Sequence, residues 1–225
     1  KAKKIAAHIM EADVSDIEFS DGKFTVAGTD KEMAFGEVSL AAYVPHNYPI
    51  EEIEPGLDEN AFYDPLNFSF PGGAHICEVE VDPETGVVTL ARYSMAQDVG
   101  RALNPMIVEG QLHGGVAQGV GQALLERNYH DPQSGQLLTG SFMDCALPRA
   151  HDLPLFQTEI LEVPCTHTPT GVKSVGEAGP TAAPAAVVNA IVDALAPYGV
   201  MEFEMPATPE RVFWAINKTS SNTIK

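Results

Sequence analysis

Gly171-Val172-Lys173-Ser174-Val175-Gly176-Glu177-Ala178-Gly179-Pro180 lies between an alternating apolar and polar run at 156–163 and an Ala-rich run that continues to Leu195. The alternation predicts a strand and the Ala-rich run a helix over 180–195, so the quoted stretch is a loop that leaves a strand and opens a helix. Glycines on both sides of Glu177 leave its carboxylate face open, and a helix N-terminus favours negative charge beside it. Two readings of Glu177 stand on these residues alone. It is an open acid–base group, or it is a helix-start carboxylate that satisfies backbone donors. Lys173 is near enough in sequence to be its ion-pair partner.

Upstream, Pro105 is placed for a first helical turn, and Ile107, Leu112, Val116, Val120 and Leu124 recur at helical spacing, predicting a helix over 105–126. Gly114, Gly115, Gly119 and Gly121 inside it cost about 1 kcal/mol each against Ala and call for a reason. Gly115 and Gly119, four apart, admit a neighbouring backbone. Alternatively, the glycines and the Gln118 amide present donors to an anionic or heterocyclic cofactor. No G-x-G-x-x-G run or P-loop lysine supports a dinucleotide fold.

Further upstream, Ile76, Glu78 and Glu80 alternate with Cys77, Val79 and Val81. The turn formers of 82–86 then lead into a second run, 87–95, which predicts a long hairpin. Asp131 to Gly135 reads as a turn, and Thr208-Pro209 as the start of a last helix through Arg211, Val212, Trp214 and Ile216. At the other end, Ile5, Ile9 and Met10 share a helix face, and Asp21-Gly22 between two short apolar runs signals a hairpin. Residues 46–72 lack periodicity and supply the boundary between an expected domain 1–72 and a domain 73–225. The fold expected is α+β, with mixed sheets covered by helices.

The 225 residues carry 13 Lys and Arg against 31 Asp and Glu, a net charge of −18. That balance repels phosphate backbones and argues against nucleic acid or an anionic membrane surface as partner. The longest apolar stretch, 181–195, falls short of the roughly 20 residues that span a bilayer. Cys77, Cys145 and Cys165 are odd in number and widely spaced, so no disulfide framework, zinc site or iron–sulfur site is indicated. The opening Lys1-Ala2-Lys3-Lys4-Ile5 reads as the inside of a helix, so the chain is expected to be a fragment of a longer polypeptide. His113 and His167 have no partner at metal-ligand spacing, and hydrogen-bonded histidines are expected. The acidic residues Glu51, Glu52, Glu54, Asp58 and Glu59 read as a solvated loop.

The stretch 171–180, followed by Ala182-Ala183-Pro184-Ala185-Ala186-Val187-Val188-Asn189-Ala190-Ile191, resembles the last active-site segment of molybdenum hydroxylases. These include xanthine dehydrogenases, aldehyde oxidases and the large subunits of carbon monoxide dehydrogenase-like enzymes. Asp98-Val99-Gly100-Arg101-Ala102-Leu103-Asn104-Pro105 and the run from Gln111 to Gly121 are similar to further family segments in the same order. The resemblance implies the molybdopterin-binding region of the molybdenum subunit, with Glu177 as the base beside molybdenum. Gln118 and Gly119 would contact the pterin, and Lys173, Ser174, Val175 and Gly176 would line the cofactor, with no residue of this chain ligating the metal. Ser174 departs from the glycine many relatives carry.

The implied activity is oxidation of an electron-poor carbon, in an aldehyde, N-heterocycle or similar small molecule, with water as the oxygen source. The implied cofactor is molybdenum-molybdopterin, in its cytosine dinucleotide form. Iron–sulfur clusters and FAD would sit on partner chains, the partners being the rest of the molybdenum subunit, an iron–sulfur subunit and a flavin subunit, in the cytoplasm. A base working at neutral pH calls for partial burial of Glu177. The competing reading is a catalytically silent scaffold that binds cofactor or subunits. A hydrolase built on Glu177 lacks any G-x-S-x-G nucleophile motif.

Overall fold

The computed structural model describes residues 1–222, and side chains for residues 1–217. The chain forms two compact units, Lys1–Asp64 and Pro65–Lys225.

In the first unit, helix α1 (Ala2–Met10) buries Ile5, Ala6, Ala7 and Met10, the face marked by the apolar spacing. Strands β1 (Ile17–Ser20) and β2 (Lys23–Val26) pair antiparallel, with Ser20 opposite Lys23. The two residues between them, Asp21 and Gly22, both have positive φ, at 49° and 77°. This left-handed pair matches the twist of the flanking strands, and Gly22 adopts it without a Cβ clash. β3 (Glu32–Ala34) and α2 (Phe35–Tyr43) carry no clear apolar periodicity and were not expected. α2 starts where the Glu37 carboxylate accepts the Ala34 N–H at 2.9 Å, and it buries only Val38 and Ala42. The acidic residues 51, 52, 54, 58 and 59 are exposed, and 44–71 holds no helix or strand.

In the second unit, β4 (Gly72–Val81) and β5 (Val88–Asp98) form the expected hairpin, with a bulge between Glu78 and Val79. β6 (Phe156–Leu161) lies parallel to β5, so the sheet is mixed and ordered β4-β5-β6. Alternation holds along β4: His75, Cys77, Val79 and Val81 are half-buried while their neighbours are exposed. Free thiols are found at all three cysteines, and burial pushes Cys77 up to about 11.

Helix α3 (Pro105–Leu124) is capped by the Asn104 side chain, which accepts the Ile107 N–H at 3.2 Å. Its buried row is Val108, Leu112, Val116 and Val120, each four apart; Ile107, expected in the core, is 57% exposed. α4 (Ala178–Leu195) packs along α3 and over β4, and α5 (Pro209–Asn222) adds Val212 and Ile216 to the same core. The run 178–198 reaches 21 residues at mean hydropathy 1.2, enough by length and composition to cross a membrane and longer than the apolar stretch counted in the sequence. Here Ala183, Val187, Ile191 and Leu195 are packed in the core.

The glycines of α3 explain its approach to α4. A Cβ on Gly115 would come within 2.5 Å of Pro180 Cδ and 3.0 Å of Gly179 Cα. One on Gly119 would come within 2.6 Å of Ala183 Cβ. The two backbones therefore cross at near contact, directly after Glu177.

Candidate functional site

β5 ends at Asp98, and the inward-facing residues of its last half are Tyr93, Met95 and Gln97. Gln97 is 3% exposed, the one polar side chain in the core among the described residues. Its amide lies over Gly73 on β4, where any Cβ would collide with the Gln97 carbonyl. Gln97 forms the floor of a cavity of about 470 Å³, with Ser174, Glu177 and Thr181 on one side and Ser69 and Phe70 on the other. The wall is part polar and part aromatic, with one carboxylate at its edge.

Beneath Gln97, Tyr93 is fully buried, and its hydroxyl is hydrogen bonded to Nδ1 of His75 at 2.8 Å. Nε2 of His75 is buried without a partner in hydrogen-bond geometry among the described residues. Burial lowers the His75 imidazole below its ordinary value, opposed by the nearby Gln97 amide, and burial raises the Tyr93 phenol far above its own. Both groups are therefore neutral at physiological pH.

Glu177 is the N-cap residue of α4, yet its side chain makes no capping hydrogen bond. Its carbonyl accepts both the N–H and the hydroxyl of Thr181, at 3.2 and 2.7 Å, so the backbone is fixed while the carboxylate is left uncommitted. It is exposed, not the partly buried group expected of a base working at neutral pH.

The residues expected around it separate. Ser174 and Gly176 stand on the open surface with Glu177, and nothing approaches the position a Gly176 Cβ would take. Val175 turns inward and packs on the core. Lys173 does not pair with Glu177: its Nζ lies 2.5 Å from Oδ2 of Asp98. Gly119 is enclosed against Ala183 and Pro184 of α4, a packing role sufficient for its small size. Gln118 is exposed on α3, on the strip that also carries Gln111 and Gly114, and it does not line the Glu177 cavity.

His113 is hydrogen bonded to Thr158 at 2.9 Å and faces Phe156. His151 lines a separate apolar cavity of about 290 Å³. No group of three or more His, Cys, Asp or Glu is placed to hold a metal ion among the described residues. Gln97 and Phe70 were missed from sequence. Gln97 lies past the end of the strand read from the sequence, at 95; Phe70 carried no signal.

The chain matches the family model described as "Molybdopterin cofactor-binding domain" over residues 1–154, which ends before the Glu177 loop. Its relatives extend the match through that loop. The nicotine 6-hydroxylase large subunit of Paenarthrobacter nicotinovorans is 39% identical over 213 residues, 94% of this chain and 26% of the relative. The carbon monoxide dehydrogenase large chain of Hydrogenophaga pseudoflava is 36% identical over 218 residues, 97% of this chain and 27% of the relative. Among solved structures, quinoline 2-oxidoreductase from Pseudomonas putida 86 superposes with a TM-score of 0.85 at 40% identity, covering 96% of this chain and 28% of that one. The chain thus spans about a quarter of the length of the relatives it matches. With the family model covering more than half of its residues and large-subunit relatives aligned along nearly all of it, the chain belongs to the molybdopterin cofactor-binding domain family and matches one portion of the molybdenum hydroxylase large subunit.

Proposed function

We propose that this chain is the portion of a molybdenum hydroxylase large subunit that supplies the catalytic base and one wall of the cofactor and substrate cavity. The observation that carries the proposal is Glu177: a carboxylate held by its backbone at a helix start, free of side-chain caps, at the edge of a cavity floored by Gln97. The residues fit a molybdopterin group. Gly114 and Gly176 have open space where a Cβ would stand, and the exposed amides of Gln111 and Gln118 offer neutral donors beside Gly114. Gln118, Ser174 and Gly176 would hold the group. When bound, molybdenum-molybdopterin, in the cytosine dinucleotide form, supplies the two-electron oxidation and the transfer of a water-derived oxygen.

The chain's own part is acid–base and positional. Glu177 takes up a proton on a carboxylate oxygen as the nucleophile forms. Phe70 gives the substrate an apolar face, and Gln97 and Ser174 orient its polar edge. The substrate is an aldehyde, N-heterocycle or similar small molecule with an electron-poor carbon. Electrons leave to iron–sulfur clusters and FAD on partner subunits, in a cytoplasmic complex. What supports the partners is that relatives of this chain are named as large or gamma subunits.

Glu177→Gln in the complete, assembled enzyme tests the proposal, because Gln keeps size and hydrogen bonding but accepts no proton. Reduction by substrate should fall about 10² to 10⁴-fold, at the upper end of that range, with molybdenum content and melting temperature near those of the parent. Near-normal single-turnover reduction would leave Glu177 a structural residue.

A further inference from the structure

Asp98, the last residue of β5, has both carboxylate oxygens engaged. Oδ1 accepts the N–H of Gly100 at 2.9 Å and of Val163 at 3.1 Å, and Oδ2 faces Nζ of Lys173 at 2.5 Å. The two side chains are only 18% and 15% exposed. One carboxylate therefore joins three segments: the end of β5, the chain just after β6, and the loop that leads to Glu177.

The backbone repeats the junction. Lys173 N–H donates to the Val99 carbonyl at 2.9 Å, and the N–H groups of Arg101 and Cys165 both donate to the Gly171 carbonyl, each at 2.9 Å. Gly100 bridges Val172, at φ 64°, and a Cβ there would collide with the Gly171 carbonyl. Glu177 follows four residues after Lys173 and has no cap of its own. Gln97, the residue before Asp98, floors the same cavity.

We infer that the Asp98–Lys173 ion pair positions Glu177, fixing the start of its loop against the strand end that floors the cavity. Neither residue touches substrate; Lys173 acts through Asp98 and is not a cofactor ligand. The inference rests on the reading of Glu177 as the base. A base displaced by about 1 Å loses on the order of 100-fold in rate even when nothing else changes. Asp98→Asn isolates the effect, since its carbonyl still accepts the Gly100 and Val163 amides while the charge facing Lys173 is gone.

The test uses the complete, assembled enzyme with Asp98→Asn, Lys173→Arg, Lys173→Met and the Asp98→Asn/Lys173→Met double variant, alongside Glu177→Gln. Molybdenum content, hydrogen exchange of the 172–178 amides, and single-turnover reduction over a range of substrate concentrations are read on each. For Asp98→Asn the expectation is retained molybdenum, faster exchange confined to 172–178, and a limiting rate lowered about 10- to 100-fold with unchanged substrate affinity. Lys173→Arg should recover most of the rate, and the double variant should be no worse than the worse single, because both substitutions remove one interaction. Asp98→Glu, with the charge moved by one methylene, replaces Asp98→Asn if the latter fails to fold, and should fall between Asp98→Asn and the parent.

A melting temperature that drops with exchange and rate per loaded molecule unchanged would mean a structural pair only, and overturns the inference. Loss of molybdenum in Lys173→Met but not in Asp98→Asn overturns it in favour of direct cofactor contact. An inactive Glu177→Gln beside a fully active Asp98→Asn sinks the positioning role alone. An active Glu177→Gln removes the base reading, and the positioning role falls with it.

Discussion

Asp98 ties the stability of the second unit to acid more directly than its neighbours do. Burial pushes its carboxyl up, but the Lys173 ammonium and the Gly100 and Val163 amides bind the ionised form and outweigh burial. The group therefore lies below the usual carboxylate range. A depressed value in the fold means stability that is present above the unfolded carboxylate value and is lost as pH falls through the lowered one. Asp98→Asn should thus melt below the parent at neutral pH, with the gap narrowing as pH drops under the usual carboxylate range. A gap that stays constant in thermal melts down to the most acid folded sample would show that charge does not hold the junction. Lys173 was legible in the sequence as a cation near Glu177, but its partner lies 75 residues away, beyond any local spacing rule. Gln97 was not legible: the strand read from the sequence stopped at 95, and only the full length of β5, to Asp98, turns Gln97 inward with Tyr93 and Met95 beside Gly73.

The crossing of α3 and α4 decides what each glycine does. Gly119 and Gly110 are both helical, so Ala at either gains about 1 kcal/mol of helix propensity. At Gly110 nothing lies within 4 Å of the new methyl, and at Gly119 it meets Ala183 Cβ at 2.6 Å and Pro184 Cδ at 2.9 Å. Proline ring and backbone in α4 cannot swing aside as a flexible side chain does, and overpacking of this kind costs about 1 to 3 kcal/mol. Gly110→Ala should raise the melting temperature and Gly119→Ala lower it; equal shifts in calorimetry would reject close packing as the cause. Periodicity located both helices to within a turn, because each has a long apolar row. It could not tell Ile107 from Val108, since adjacent residues differ by about 100° on a helix and both are apolar. It passed over α2 altogether, where only two of nine residues are buried and Gly36 weakens the local propensity.

On the scale of the molecule, the two units have separate hydrophobic cores, and the chain around their boundary is exposed, with Phe62, Leu66, Phe68 and Phe70 all on the surface. Limited proteolysis should therefore cut first within 58–70, and a chain of 65–225 should still unfold in one cooperative transition. Loss of any such transition would show that the second core depends on the first. The mixed sheet of that second unit also sets a sequence of events in time. β4 and β5 are neighbours in the chain and can close as soon as both are made. β6 reaches β5 only across the whole of α3, with Ser94 and Gln157 hydrogen bonded from 63 residues apart. Contacts so distant in the chain form slowly, because the entropy of closing the intervening segment comes due before they return anything. During synthesis, the floor made by Gly73 and Gln97 is thus ready early, while the loop bearing Glu177 joins it among the last steps. A newly made chain therefore passes through a stage in which Gly73 and Gln97 already face each other while Glu177 has yet to arrive beside them.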